Sequence, residues 1–256
     1  GLKILNSNGQ IVKEYHISDD FVFSIYPTHK GEIYVGTWSG LFKFNKKNNR
    51  FDRIPRFNSE FIYQIFEDDS SNLWLATYSN GVYKIAANGK IYAYSHQENK
   101  SGSLPYNKVM SIFEDSHHQI WLTTQGGGFC KYNPSSNNFT TYDKKSGFAS
   151  DVIYQIVEDN NHIFWISTNN GLNTFNPRTK EIRRYSIENG LLTDKFNYRS
   201  SFKTPEGIIY FGSIEGLVFL NPDKFNKYRV KNVNLLISDF QLPNQADDTE
   251  NILPVR

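Results

Sequence analysis

The chain has 256 residues, of which 21% are charged and 16% are aromatic, and its formal net charge at pH 7 is +2. This near balance, without a row of Lys and Arg along one helix, argues against a nucleic-acid partner, which would require a broad basic field. The single cysteine, Cys130, excludes an internal disulfide framework, and no apolar run approaches the roughly 20 residues needed to cross a bilayer.

Short apolar strands recur along the chain in units of about 45 residues. The first is a half unit at residues 1–18, which begins "GLKIL". Because the chain starts inside a unit, we expect it to be a segment of a longer polypeptide. Five full units follow, at residues 21–54, 61–94, 108–142, 152–185 and 197–222.

Each full unit offers the same elements in the same order. An inner strand is followed by a polar turn, a second strand, a glycine turn, a third strand and an outer strand that ends in Tyr or Ile. The last glycines of the five glycine turns, spaced by 41 to 47 residues, are Gly40, Gly81, Gly128, Gly171 and Gly216. Four short strands at this period are typical of a propeller blade. The sequence therefore predicts an all-β fold, a β-propeller with four-stranded antiparallel blades, of which it holds five full blades and one half blade.

The inner strands align without a gap. They are "VFSIY" (22–26), "IYQIF" (62–66), "VMSIF" (109–113), "IYQIV" (153–157) and "YRSSF" (198–202), and each ends seven positions before the next strand begins. This constancy predicts a hairpin of fixed length. Their middle positions carry polar residues, which we expect to line the axis of the ring: Ser24, Gln64, Ser111, Gln155 and Ser200. Such residues either hydrogen-bond the neighbouring backbone and water in a narrow channel or form a polar shaft beneath a ligand.

The glycine run 126–128 has the composition of a phosphate-binding loop. A phosphate loop is needed once, whereas this turn recurs in every unit, does not open a helix and lacks the following Lys-Ser/Thr. We therefore interpret it as a turn in which glycine supplies a backbone conformation that other residues adopt only with strain.

Paired acidic residues also recur, and they are not predicted to be catalytic. The pairs are Glu67-Asp68, Glu114-Asp115 and Glu158-Asp159. They occupy the same hairpin turn in successive blades, which indicates turn formation, whereas a glycosidase needs two carboxyl groups that converge on one site. His117, His118 and His162 share this region without a spaced partner that would complete a metal site. The sequence thus predicts no catalytic residue, no metal and no cofactor, and we expect this segment not to be an enzyme.

The candidate ligand site lies at the opposite end of the blades. There the glycine turns and the connections between blades converge, and loops carry function more often than strands do. The glycine turns supply Trp38, Tyr78, Gln125, Asn169 and Glu215. The connections supply Asn58, Asn107, Asp151, Asn197, Tyr198 and Arg199. Aromatic rings that stack on a pyranose and amides that bond hydroxyl groups favour a sugar, since phosphates would call for more Arg and Lys. The alternative is that these residues only form turns or blade-to-blade contacts.

Two complete units resemble a known repeat. "VMSIFEDSHHQIWLTTQGGGFCKYNPSSNNFTTY" and "VIYQIVEDNNHIFWISTNNGLNTFNPRTKEIRRY" resemble the regulatory two-component propeller repeat, and the resemblance covers residues 1 to about 222. The last blade departs from the pattern, with "KTPEG" in place of the acidic turn and Tyr210 in place of Trp. The resemblance implies a seven-bladed ring with further blades upstream, a six-bladed ring being the alternative. After "FLNPDKF", residues 223–256 resemble a linker and the first strand of the immunoglobulin-like β-sandwich that follows such propellers.

The resemblance also implies a function. It suggests the periplasmic ectodomain of an inner-membrane hybrid two-component sensor histidine kinase that detects an oligosaccharide and controls polysaccharide-utilisation genes. The implied partners are the oligosaccharide, the upstream blades, the downstream immunoglobulin-like domain and a second copy in a homodimer, with the kinase outside this segment. The first alternative is a scaffold, dimerisation or signal-transmission module whose ligand is bound by upstream blades. A propeller lyase or glycosidase is the third interpretation.

Overall fold

A computed structural model of the chain describes residues 1–17 and 21–225. The strands are β1 Leu2–Leu5, β2 Ile11–Tyr15, β3 Val22–Pro27, β4 Ile33–Thr37, β5 Leu41–Asn45, β6 Arg50–Arg53, β7 Ile62–Glu67, β8 Leu73–Thr77, β9 Val82–Ile85, β10 Ile91–Tyr94, β11 Val109–Glu114, β12 Ile120–Thr124, β13 Phe129–Asn133, β14 Asn138–Tyr142, β15 Ile153–Glu158, β16 Phe164–Thr168, β17 Leu172–Phe175, β18 Ile182–Tyr185, β19 Phe196–Lys203, β20 Ile209–Ser213 and β21 Gly216–Leu220. Short helical turns lie at Pro55–Phe57, Lys144–Ser146 and Ile187–Asn189, and the helix α1 lies at Pro222–Phe225.

The strands form antiparallel sheets in chain order, and each sheet is one blade. Blade 0 is the hairpin β1–β2, blade 1 is β3–β6, blade 2 is β7–β10, blade 3 is β11–β14, blade 4 is β15–β18 and blade 5 is β19–β21. The inner strands β3, β7, β11, β15 and β19 pack side by side in that order. The four-stranded blades 1 to 4 are thereby confirmed, and the residues of the predicted half blade form a two-stranded hairpin.

The hydrophobic core lies between successive blades, so strands are apolar on both faces. One cluster joins Leu41 of blade 1 to Ile62 and Ile65 of blade 2. Equivalent clusters join blade 2 to blade 3, blade 3 to blade 4 and blade 4 to blade 5. A strand covered on both sides has no polar face, so apolar and polar residues do not alternate regularly along these strands in the sequence.

The glycine turns are held by a hydrogen bond from a Thr or Ser hydroxyl group, and they leave no room for a side chain at the glycine that closes the turn in blade 3. In every full blade and in blade 5, the Thr or Ser that ends the second strand donates its hydroxyl proton to the carbonyl of the turn glycine. Gly128 has φ +76°, and a Cβ there would lie 2.1 Å from the Tyr142 carbonyl oxygen. The interpretation of the glycine run as a recurring turn is therefore confirmed.

Blade 5 departs from the prediction of a full blade at residues 197–222. These residues form three strands, because Pro222 opens helix α1 instead of a turn to a fourth strand. The ungapped alignment also misplaced the start of β19. Phe196, buried and paired with Ser213, occupies the position of Ile62, whereas Tyr198 is exposed. Two extra residues therefore bulge out of this inner strand.

Residues Gly1–Pro222 form one compact unit. Residues 226–256, on which the predicted immunoglobulin-like strand falls, and residue 18 of the half blade lie outside the described residues. The seven-bladed ring stays a prediction. Within residues 1–17 and 21–225, no helix is long and apolar enough to cross a membrane.

Candidate functional site

Three aromatic rings form a row at the loop end of blades 1 and 2. Trp38 and Tyr78 lie in the glycine turns, and Phe61 precedes β7. The Phe61 ring stacks on Trp38 with 4.7 Å between centroids and on Tyr78 with 5.0 Å. The Lys108 ammonium group lies 3.7 Å from the centre of the Tyr78 ring. We call Trp38, Phe61 and Tyr78 the aromatic row; Trp38, 58% exposed, is its most solvent-accessible member.

Bulges in the inner strands bring further rings to this end. The register slips by one residue next to Phe23, Tyr63 and Tyr154, and such bulges re-aim side chains. The ring centroid of Phe23 lies 4.5 Å from that of Phe61, and the Tyr198 centroid lies 6.1 Å from Tyr63 and 6.0 Å from Tyr154. Burial is the main cause that raises the pKa of Tyr63 and Tyr154, so both phenols stay protonated near neutral pH.

Arg199 connects blade 5 to two distant blades. Its backbone has φ +55°, a conformation that is uncommon for residues other than glycine. Its guanidinium donates hydrogen bonds to the backbone carbonyls of Phe23 and Tyr63, the latter at 2.6 Å. Desolvation by the surrounding protein lowers the pKa of Arg199 from its usual value. Because the usual pKa of arginine lies far above neutral pH, the guanidinium keeps its charge. The structure thus brings together Trp38, Tyr78, Tyr198 and Arg199 through a chain of contacts.

Two of the predicted connection residues shape their own loops. Asn107 accepts a hydrogen bond from the His96 backbone at 2.6 Å, and Asp151 accepts one from the Lys144 backbone at 2.7 Å. The equivalent position before blade 5 is Asp194, whose carboxylate accepts from the Ile187 backbone at 2.9 Å. These contacts favour the alternative that the residues form turns.

The other predicted loop residues are dispersed. Asn169 accepts a hydrogen bond from the Ser150 hydroxyl at 2.6 Å, and Gln125 bridges to Val152 through its backbone. Three more are exposed: Asn58 and Glu215 lie in loops, and Asn197 lies near the start of β19. The sequence missed the aromatic residues Phe23, Phe61, Tyr63 and Tyr154 and also Lys108. Most of these rings come directly before the polar residue in the middle of an inner strand. An aromatic residue at that position in the aligned inner strands is the signal that could have identified them.

The predicted axial residues tie inner strands together. Ser24 accepts a hydrogen bond from the Ile65 backbone of the next blade at 3.1 Å. Gln64 likewise accepts from the Ile112 backbone at 2.7 Å. These two contacts favour the first of the two interpretations, bonding to neighbouring backbone, for Ser24 and Gln64. Of the remaining three, Ser111 bonds Thr123 of its own blade at 2.8 Å, Gln155 has a buried Oε1 atom without a partner among the described residues, and Ser200 lies close to Gly212.

At the opposite end, the acidic turns are built around a buried tryptophan. Asp115 accepts hydrogen bonds from the backbone of His117 and Gln119, and its other oxygen accepts from the Trp121 indole at 2.8 Å. Asp68 with Trp74 and Asp159 with Trp165 repeat the indole bond, at 2.7 and 2.9 Å. The predicted role of these aspartates in turn formation is confirmed.

The aspartate–tryptophan pairing has a signal in the sequence. Asp and Trp are six residues apart in blades 2, 3 and 4. In blades 1 and 5 the same two positions hold Thr and Tyr, namely Thr28 with Tyr34 and Thr204 with Tyr210. A threonine hydroxyl can cap the turn, as Thr28 does for the Glu32 backbone at 3.1 Å, but it does not anchor an indole.

The glutamate of each acidic pair joins neighbouring blades. Glu67 accepts a hydrogen bond from the His29 backbone at 2.7 Å, Glu114 from the Asp69 backbone at 3.0 Å and Glu158 from the Ser116 backbone at 2.7 Å. In each case the donor lies in the turn of the preceding blade. The glutamates are therefore blade-to-blade links, and they are spread around the ring instead of converging on one site.

A comparison with family models identifies the repeat. The model described as the two component regulator propeller matches residues 56–79, 103–126 and 147–170. Each match runs from the connection before an inner strand into the glycine turn. These three segments of blades 2, 3 and 4 therefore match two-component regulator propeller repeats.

Several individual proteins are similar to this chain. Histidine kinase P4 of Formosa agariphila is 27% identical over 244 residues, which cover 87% of this chain and 17% of that protein. An extracellular domain described for a one component system of B. thetaiotaomicron has a TM-score of 0.66 at 24% identity, over 80% of this chain and 30% of that one. One described for a hybrid two component system of the same organism has a TM-score of 0.58 at 24% identity, over 86% and 36%. The chain thus spans well under half of each of these proteins.

Proposed function

We propose that this propeller is a ligand-sensing part of the extracytoplasmic region of a membrane-bound two-component sensor with a histidine kinase. The repeat type and the likeness to histidine kinase P4 support this proposal. In this proposal the propeller lies in the periplasm, and the kinase and the membrane helix lie elsewhere in the polypeptide.

We propose further that the ring continues beyond blade 5. The face of blade 5 that points away from blade 4 carries exposed apolar side chains: Phe202 is 63% exposed, Leu217 59% and Phe219 68%. Such a cluster of large apolar groups is costly to leave in water and is covered in a propeller by the next blade. Additional blades of the same repeat supply that cover.

The ligand we propose is an oligosaccharide bound at the aromatic row. The observation that carries this proposal is Trp38, a large ring that is 58% exposed at the loop end. Tyr198, also 58% exposed, is connected to it through the rings of Tyr63 and Phe61. The geometry limits how a sugar can bind. Phe61 is covered on both faces by Trp38 and Tyr78, and Lys108 lies over Tyr78, so stacking is to be expected on Trp38 first.

Signalling would follow from differential affinity. A ligand shifts an equilibrium between two arrangements of blades and stalks only if it binds one of them more tightly. Arg199 is placed to take part, since it holds the backbones of blades 1 and 2 from blade 5. In a homodimer, either a tighter or a looser arrangement of the two copies can activate the kinase.

Thermal unfolding of the chain against a panel of plant, host and microbial oligosaccharides tests this function. A ligand at 100 times its dissociation constant adds about 2.7 kcal/mol to the free energy of unfolding. We expect one class of oligosaccharide to raise the melting temperature, and the Trp38→Ala variant to lose that rise while unfolding at a similar temperature without ligand. A panel without any stabilising sugar, or a rise that persists in the variant, would count against it.

The alternative function is a scaffold, and one observation favours it. The rings of the aromatic row stack on each other, which is what a packing contact between blades 1 and 2 requires without any ligand. In that case Trp38→Ala destabilises the chain and no oligosaccharide stabilises either form.

A further inference from the structure

Two histidines and a glutamate meet between the turns of blades 3 and 4. His117 belongs to the turn of blade 3, and Glu158 and His162 belong to blade 4. One possible ligand atom from each residue lies within 4.8 Å of the other two. The two imidazole rings are 5.0 Å apart between centroids, and His162 Nδ1 lies 3.1 Å from Glu158 Oε1. Residues about 45 positions apart in the sequence thus converge at one point.

The glutamate is held in place independently of the histidines. Glu158 is 9% exposed, and its Oε2 atom accepts a hydrogen bond from the Ser116 backbone at 2.7 Å. The Ser116 hydroxyl lies among the three groups, at 2.7 Å from Glu158 Oε1, 2.8 Å from His162 Nδ1 and 3.3 Å from His117 Nδ1. Three possible ligand atoms therefore already surround one small polar centre.

The spacing and the chemistry of these groups suit a transition metal. Ligand atoms at about 2.0–2.2 Å from a tetrahedral Zn²⁺ are a little over 3 Å from one another, close to the separation of His162 Nδ1 and Glu158 Oε1. Imidazole favours Zn²⁺, Ni²⁺ and Cu²⁺, whereas Ca²⁺ and Mg²⁺ prefer oxygen ligands. Rotation of the Ser116 hydroxyl would free the centre for an ion and leave water as a fourth ligand.

The neighbouring junction offers a natural comparison. Between blades 2 and 3 the equivalent group is Asp69, Glu114 and His118, with one imidazole and two carboxylates. His118 Nδ1 lies 2.7 Å from Asp69 but 3.8 Å from Glu114. This looser group, with a single nitrogen ligand, is the poorer match for Zn²⁺.

We propose that His117, Glu158 and His162 form a binding site for a divalent transition-metal ion, with Zn²⁺ as the best match, which ties blade 3 to blade 4 on the face opposite the aromatic row. Nothing in this proposal depends on a sugar ligand, so the two can fail separately.

The test is a titration of the chelator-treated chain with Zn²⁺ by calorimetry, and with Co²⁺ by its visible absorption. The informative variant is His162→Gly. The backbone at His162 has φ +61°, and glycine occupies the same turn position in blades 1 and 5, as Gly31 and Gly207 with φ +70° and +85°, so the variant keeps the turn. His118→Gly is the matched control, because it removes the equivalent histidine of blade 3.

We expect one Zn²⁺ per chain and Co²⁺ absorption typical of a low coordination number. His162→Gly should weaken Zn²⁺ binding by more than about tenfold, since even outer-shell partners of a metal contribute that much. His118→Gly should leave the affinity within about twofold, as expected for an independent site. Failure of the chain to bind Zn²⁺, or an equal loss in both glycine variants, would overturn the proposal.

Discussion

The buried bond between Asp115 and the Trp121 indole makes a specific prediction about stability. Asp115→Asn keeps an oxygen that can accept from the backbone of His117 and Gln119, but it turns an amide N–H toward the indole N–H at a distance that is now 2.8 Å. The indole loses a charged acceptor and, being fully buried, gains no water. A hydrogen bond to a charged group contributes about 1.5–3 kcal/mol, so we expect the free energy of unfolding to fall by about that amount.

Urea denaturation of four proteins isolates this contribution. They are the wild type, Asp115→Asn, Trp121→Phe and the double variant. Trp121→Phe removes the indole donor, so Asp115→Asn should cost about 1.5–3 kcal/mol less in that background. Asp69→Asn, an exposed residue of the neighbouring turn, is the control and should change stability by less than about 0.5 kcal/mol. Equal costs of Asp115→Asn in the Trp121 and Phe backgrounds would refute the reasoning.

Three further predictions follow from single positions. Gly128→Ala should lower the free energy of unfolding by about 2 kcal/mol or more, because φ is +76° and the new Cβ would lie 2.1 Å from a carbonyl oxygen. Gly216→Ala should lower it less in the same urea assay, because no atom lies within 4 Å of the new Cβ. Asn173 is fully buried, and its side-chain amide has no hydrogen-bond partner among the described residues. Cys130 holds the equivalent position of blade 3, so Asn173→Cys should raise the melting temperature. A lower melting temperature would contradict this. Burial is the main cause that raises the pKa of Glu114, so the ionisation of this carboxyl group opposes folding. The Glu114→Gln variant should therefore gain stability relative to the wild type as the pH rises from the ordinary glutamate pKa through the raised one. A difference in stability that does not change with pH would contradict this.

Most of the fold prediction depended on the period of the repeat. Hairpins of constant length and a glycine at each third strand are local features, so blades 1 to 4 could be read from aligned sequence alone. Blade 5 could not be placed in the same way. "YRSSF" satisfies the inner-strand pattern, yet Phe196 takes the buried position because apolar burial between blades 4 and 5 outweighs the local match.

The site was harder to predict because it depends on distances between blades. Trp38 and Tyr78 were predicted from their turns, but Phe61, which stacks between them, comes just before an inner strand, at a position that holds Lys108 in the next unit. His117 looked unpaired because its partners in the proposed metal site, Glu158 and His162, belong to the next unit. His117 and His162 meet only because adjacent turns are offset by the packing of one blade on the next.

Protection of Trp38 from a quencher tests the proposed sensing site most directly. The chain has 4 tryptophans, and Trp74, Trp121 and Trp165 are buried while Trp38 is 58% exposed, so acrylamide should quench chiefly Trp38. With an oligosaccharide that stabilises the chain, we predict that the quenchable fraction of the emission disappears, and that Trp38→Phe shows little quenching with or without sugar. A stabilising sugar that leaves Trp38 fully quenchable would place the ligand elsewhere and contradict the account.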